Sequence, residues 1–262
     1  MYGAHHQNTS GSYTAAPPEY SQAPSSSREP LVGGEWDVPD DFKHGVTVFE
    51  CDISVRMAFV RKVYSILFAQ LAATTVVAGI MMYNEKIKFW VHDNSWAMIL
   101  SAILTFVLLF ALFWKRRSHP LNLQLLAAFT LLESYSIGNL VTYFDQAVVL
   151  QALVITTGVF IGLTLFTMQS KYDFSGMFPI LYVGLWVVVI IGLVGIFIPF
   201  SKSFDLIIAV GTAILFCGFI VYDTFVIMKR LNPEEYIIAA VELYLDFINL
   251  FISILRILND LN

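Results

Sequence analysis

Residues 214–255 read ILFCGFIVYDTFVIMKRLNPEEYIIAAVELYLDFINLFISIL, two long apolar runs joined by a short charged turn. Each run carries an aspartate, Asp223 in the first and Asp246 in the second. A carboxylate at bilayer depth costs about 3 kcal/mol or more, so it faces a protein interior or a wet cavity and marks function. Two on consecutive helices define a site inside a helical membrane bundle. In the turn, Lys229 and Arg230 suit the end of one helix, where cations complement the dipole. Asn232 is a good N-cap, Pro233 fits the first helical position, and Glu235 stands three after the cap, as in a capping box. Asp223 then lies about 9 Å from its helix end and Asp246 roughly 20 Å beyond its cap, at 1.5 Å per residue. Tilt brings both into the same half of the bundle.

The rest of the chain reads the same way. Of 262 residues 57% are hydrophobic and 13% charged, against about 25% charged in soluble domains. Runs long enough to cross a bilayer fall at 63–83, 96–114, 121–143, 147–168, 177–200 and 205–228. A seventh, 236–258, carries Glu242, Asp246, Asn249 and Arg256. It reads either as a re-entrant amphipathic helix or as a span lined by protein. The second reading is favoured, because Glu242, Asp246, Asn249 and Ser253 recur at helical spacing and make one polar stripe. The fold class is therefore an all-α integral membrane protein, a seven-helix transmembrane bundle. No secretory signal precedes it, so the first span serves as its own targeting signal. Short-loop charge sets orientation: Arg56, Arg61, Lys62, Lys115, Arg116, Arg117, Lys171, Lys229 and Arg230 fall on one side, Lys86, Lys88 and Lys202 on the other. Nine against three places the N-terminus in the cytosol.

Residues 1–45 are rich in Ser, Pro, Gly and His and read as a disordered cytosolic tail, distinct from the membrane domain at 47–258. Within it Pro17, Pro18 and Tyr20 form a PPxY sequence. Two prolines preset polyproline II, and the tyrosine fills an aromatic groove, which is how WW domains read ligands. Linker composition alone also yields such matches. The motif points to a WW-domain ubiquitin ligase as partner.

Further polar residues sit inside the spans. Glu133 reads as lining the same cavity as the aspartates, or as hydrogen-bonding a neighbouring helix. Gly158 and Gly162 form a GxxxG pair suited to close helix packing. Cys51 and Cys217 fall in positions that oppose a disulfide. Metal-finger, phosphate-loop and nucleophile-elbow patterns are missing from the sequence, and nothing points to nucleic acid. An intramembrane aspartyl protease is disfavoured because Leu243-Tyr244-Leu245, not Gly-x-Gly, precedes Asp246. A retinal Schiff base in the last helix is excluded because no lysine follows Lys229.

YDT at 222–224, NPEEY at 232–236 and LYLDFINLF at 243–251 resemble the signature of Bax-inhibitor-like transmembrane proteins. FVRKVYSILFAQL (59–71), HPLNLQLLAAFTLLE (119–133) and LTLFTMQSKYDFS (163–175) resemble the lifeguard branch. The resemblance implies a seven-helix calcium leak pathway of intracellular membranes that suppresses cell death. It further implies that Asp223 and Asp246 form a pH-sensing pair that meets calcium transiently, with Arg116 as the latch and Lys115 or Arg117 as substitutes. Two carboxylates in contact share a proton and titrate together, which suits a gate, and calcium suits oxygen ligands. Glu133, Glu242 and Asn249 are expected to line the pathway. The alternative is a non-conducting anti-apoptotic regulator that binds Bcl-2-type proteins or calcium channels. Neither reading is an enzyme or needs a cofactor. The endoplasmic reticulum, Golgi and vacuole or lysosome remain open as the membrane.

Overall fold

A computed structural model describes residues 47–198 and 200–261. Among these, eight α-helices follow in order: α1 (Ile53–Tyr83), α2 (Glu85–Asp93), α3 (Ser95–Lys115), α4 (Leu121–Val141), α5 (Gln146–Gln169), α6 (Phe178–Phe197), α7 (Lys202–Lys229) and α8 (Tyr236–Leu261). One turn of 3-10 helix, Phe174–Met177, leads into α6. The protein is an all-α, multi-pass membrane bundle. Six of the helices are long and apolar enough to cross a membrane, not seven. The exception is α4, which matches α3 at 21 residues but contributes Asn122, Thr130, Ser134 and Asn139 to the interior. Polar side chains bonded inside a bundle lower a helix's hydropathy without exposing it to lipid.

The helix ends follow from local chemistry. Asn84 Oδ1 accepts from the Lys86 and Ile87 amides and starts α2. Asp145 accepts from Ala147 N at the head of α5, and Ser201 from Phe204 N at the head of α7. Asp173 accepts from Ser175 N before α6; that bond and nearby Arg230 hold its carboxyl below the ordinary carboxylate range. At α8 the Glu235 carboxylate accepts from Asn232 N at 3.4 Å, the return half of the expected capping box. Helical structure begins only at Tyr236, after a turn closed by Glu235 N to Asn232 O.

The central position belongs to α8. It packs against α1, α4, α5 and α7, whereas α3 touches mainly α4 and α6 mainly α7. Of its apolar window 72% is buried, against 6% for the window of α6 and 11% for α3. The last segment is thus a span lined by protein, its polar stripe and its apolar faces both covered by neighbouring helices. Exposed Phe106, Phe110, Val187 and Ile190 make the outer faces ordinary lipid-facing surface rather than docking patches.

Close packing uses glycines other than the expected pair. A Cβ on Gly138 would strike Met81 of α1, and one on Gly218 would strike Leu181 of α6. Gly158 and Gly162 meet nothing within 4 Å and lie on the outer face of α5, so the GxxxG pair makes no helix contact within the chain. Cys51 and Cys217 are both free.

Candidate functional site

Two polar assemblies surround α8, and only one was anticipated. The unanticipated one joins α1, α4 and α8. Gln70 Nε2 donates to Thr130 Oγ1 at 3.0 Å. Thr74 Oγ1 lies 3.0 Å from Ser134 Oγ and 2.8 Å from Tyr244 Oη. Tyr244 is wholly buried and meets Phe129 edge-to-face with centroids 6.0 Å apart. Each hydroxyl here finds a partner, as buried polar groups in lipid require. Glu133 sits beside this knot, half-buried, with Tyr244 as its electrostatic neighbour. Gln70 in an otherwise apolar run was the one signal in sequence. The serines and threonines gave none, because they also satisfy themselves by bonding backward along a helix, as Thr156 does to Ala152 O.

The anticipated assembly follows the α7–α8 seam. Asp246 is buried at 5% exposure, and its Oδ2 makes no hydrogen bond. Asp223, across the seam on α7, is only half-buried. Half-buried Glu242 has Asp223, Glu235 and Arg116 as charged neighbours, and Asp246 has Asp223 and Glu242. Acids thus descend the seam from Glu235 toward Asp246. Asn249 turns back on its own helix, donating from Nδ2 to Leu245 O at 2.8 Å.

Arg116 does not latch an aspartate. Its NH1 lies 3.5 Å from Glu235 Oε1, and Arg117 NH2 reaches the same oxygen at 3.5 Å. Glu235 is only 12% exposed, so one carboxylate caps the approach to α8 and ties it to the α3–α4 loop. Around it, Lys62 Nζ stands 3.5 Å from the centre of the Tyr236 ring, and Val48 N donates to Leu231 O at 2.8 Å. The basic ends of α1, α3 and α7 therefore gather at the α7–α8 loop. At the opposite end, Arg256 of α8 pairs with Asp205 of α7.

These placements overturn the expectation of a calcium pathway gated by an aspartate pair. The two carboxyls meet across the seam but are not matched: Asp246 is buried, whereas Asp223 is only half-buried. Asp246 stands on the central helix and Asp223 on α7, which packs mainly against α8 and α5. Among the described residues no group of three or more His, Cys, Asp or Glu is arranged to hold a metal ion. No acidic cluster that would hold calcium is thus assembled around Asp223 and Asp246 among the described residues. Pro17, Pro18 and Tyr20 lie outside the described residues.

A multi-pass bundle built around a buried last helix, with a polar interior, defines a class of helical membrane protein. Residues 56–262 match the family described as inhibitor of apoptosis-promoting Bax1. The chain is 45% identical to Protein lifeguard 4 of Mus musculus over 225 residues, covering 86% of this chain and 94% of that one. It is 44% identical to Bax inhibitor 1 of Schizosaccharomyces pombe over 247 residues, covering 94% and 90%. It is 40% identical to the Golgi anti-apoptotic protein of Vaccinia virus strain Lister, covering 86% and 94%. The chain belongs to the Bax-inhibitor family, within its lifeguard-like members. It is a membrane protein and not an enzyme, in keeping with its family, and relatives carry names that describe inhibition of Bax and of apoptosis.

Proposed function

We propose that this protein restrains programmed cell death from within an intracellular membrane, acting through protein contacts. The observation that carries this reading is the family match across residues 56–262, shared with relatives named for Bax inhibition and for an anti-apoptotic role. The architecture supports it, because α8 fills the centre of the bundle. The partners it would engage are Bcl-2-type proteins or calcium channels. The N-terminus lies in the cytosol, a reading supported by the nine-against-three bias of the short loops and by Lys62, Arg116 and Arg117 meeting at the α7–α8 loop. That end, with Arg116, Arg117 and Glu235 exposed to differing degrees, is the contact surface, and Asp223 and Glu242 stand behind it. The sequence Pro17, Pro18 and Tyr20 recruits a WW-domain ubiquitin ligase controlling abundance, a reading supported by its match to the PPxY pattern. The membrane is that of the endoplasmic reticulum, Golgi or vacuole, and one relative carries the Golgi in its name.

The test expresses the chain in cells challenged with a Bax-type killer and compares wild type with Glu235→Arg. Wild type should protect and co-purify with a Bcl-2-type protein or a calcium channel, and Glu235→Arg should lose both. Protection that persists undiminished in cells lacking those partners would sink the reading.

A further inference from the structure

A crevice of about 140 Å³ lies between α1 and α5, floored by Phe247, Ile248 and Phe251 of α8. On α1 its wall runs from Leu71 through Ala78 to Tyr83, one helical stripe about 18 Å long at 1.5 Å per residue. The floor is buried, but Thr75, Leu150 and Gln146 at the rim are exposed, and both flanking helices are membrane spans. The crevice therefore opens sideways into hydrocarbon, in the half of the bundle opposite the α7–α8 loop. So small a volume over that length leaves a thread-like space. A helix, at about 10 Å diameter with its side chains, does not enter it.

Its interfacial end carries charge. Tyr83 lines both this crevice and a shallow hollow formed with Ile80, Asn84, Glu85 and Lys86. An ammonium and a carboxylate side by side at the bilayer surface complement a headgroup that bears phosphate and amine together. We propose that the crevice binds one acyl chain of a zwitterionic phospholipid. The chain lies along α1 against Phe247 and Phe251, Lys86 faces the phosphate and Glu85 faces the amine. The bound lipid fills the gap that α1 and α5 leave over α8.

The structure supplies a plug. A Cβ at Gly79 meets nothing within 4 Å, and Gly79 lines the crevice, so a side chain introduced by Gly79→Phe starts from open space there. Gly158 offers equal space on the outer face of α5 and serves as control. The experiment places the full chain in phospholipid nanodiscs containing a trace of phosphatidylethanolamine with a diazirine midway along one acyl chain. Irradiation and mass mapping then locate the labelled residues. Labels should concentrate on Leu71–Tyr83 and on Phe247 and Phe251. Gly79→Phe should lower them severalfold by occupying the space the chain would fill, whereas Gly158→Phe should not. Thr75→Trp, at the exposed rim, repeats the test if Gly79→Phe unfolds. Labels spread evenly over outer residues such as Phe110 and Ile190, or unchanged in both plugging variants, would overturn the site. A diazirine fatty acid that labels as well as the phospholipid, with Glu85→Ala and Lys86→Ala silent, would overturn the headgroup assignment.

Discussion

The knot joining α1, α4 and α8 and the acids along the α7–α8 seam touch the same central helix and obey opposite rules. In the knot, Thr74, Ser134 and Tyr244 are neutral and linked through Thr74, and the oxygen left without a partner, Gln70 Oε1, belongs to an uncharged amide. Along the seam, Asp246 is buried with an unpartnered oxygen and has Asp223 and Glu242 as like-charged neighbours. A satisfied polar cluster holds helices together. An unsatisfied one costs stability and is kept for another reason.

That contrast predicts substitutions of opposite sign. Tyr244→Ala removes the largest fully buried side chain together with its bond to Thr74, and should cost about 3 kcal/mol or more in unfolding from detergent micelles. Asp246→Leu should instead raise stability by about 1 kcal/mol, because it removes a buried acceptor that has no donor. A loss there would erase the distinction between the two regions. Thr74→Val keeps shape and deletes one hydroxyl, so a loss of about 0.6 kcal/mol is expected, the mean for interhelical hydrogen bonds in a membrane. The smallest effect belongs to Asp173, outside the spans. Its carboxyl is held low by Ser175 and Arg230, so its contribution is full above the ordinary carboxylate range and fades as pH falls through its lowered value. Asp173→Asn should flatten the acid limb of a stability–pH curve slightly and leave neutral pH unchanged.

Much of the bundle was readable in advance because long apolar runs have few other uses. The segment 147–168 became α5 at Gln146–Gln169, and 205–228 became α7 at Lys202–Lys229. Helix α2 escaped because EKIKFWVHD is short and mixed, and only the bonds of Asn84 reveal its start. Asp246 announced itself as a charge in hydrocarbon, but its inequality with Asp223 depends on which helix takes the centre of the bundle, which one sequence does not encode as a pattern. Arg116 was assigned to the wrong acid for a similar reason: loop geometry, not span spacing, delivers it to Glu235. Gly158 and Gly162 have the spacing of a contact, but periodicity does not say whether a face meets protein or lipid. Thr74 and Ser134 stayed hidden because a hydroxyl in a transmembrane helix can always bond to its own backbone.

If the protein acts through protein contacts, as proposed, the buried acid is part of the bundle's scaffold and not half of a calcium gate. The most direct measurement is calcium entry into liposomes bearing the purified, folded protein, across a pH series, with Asp223→Asn and Asp246→Asn alongside. No entry above that of protein-free liposomes is expected at any pH, for wild type and variants alike. PH-dependent entry that either substitution abolishes would contradict it.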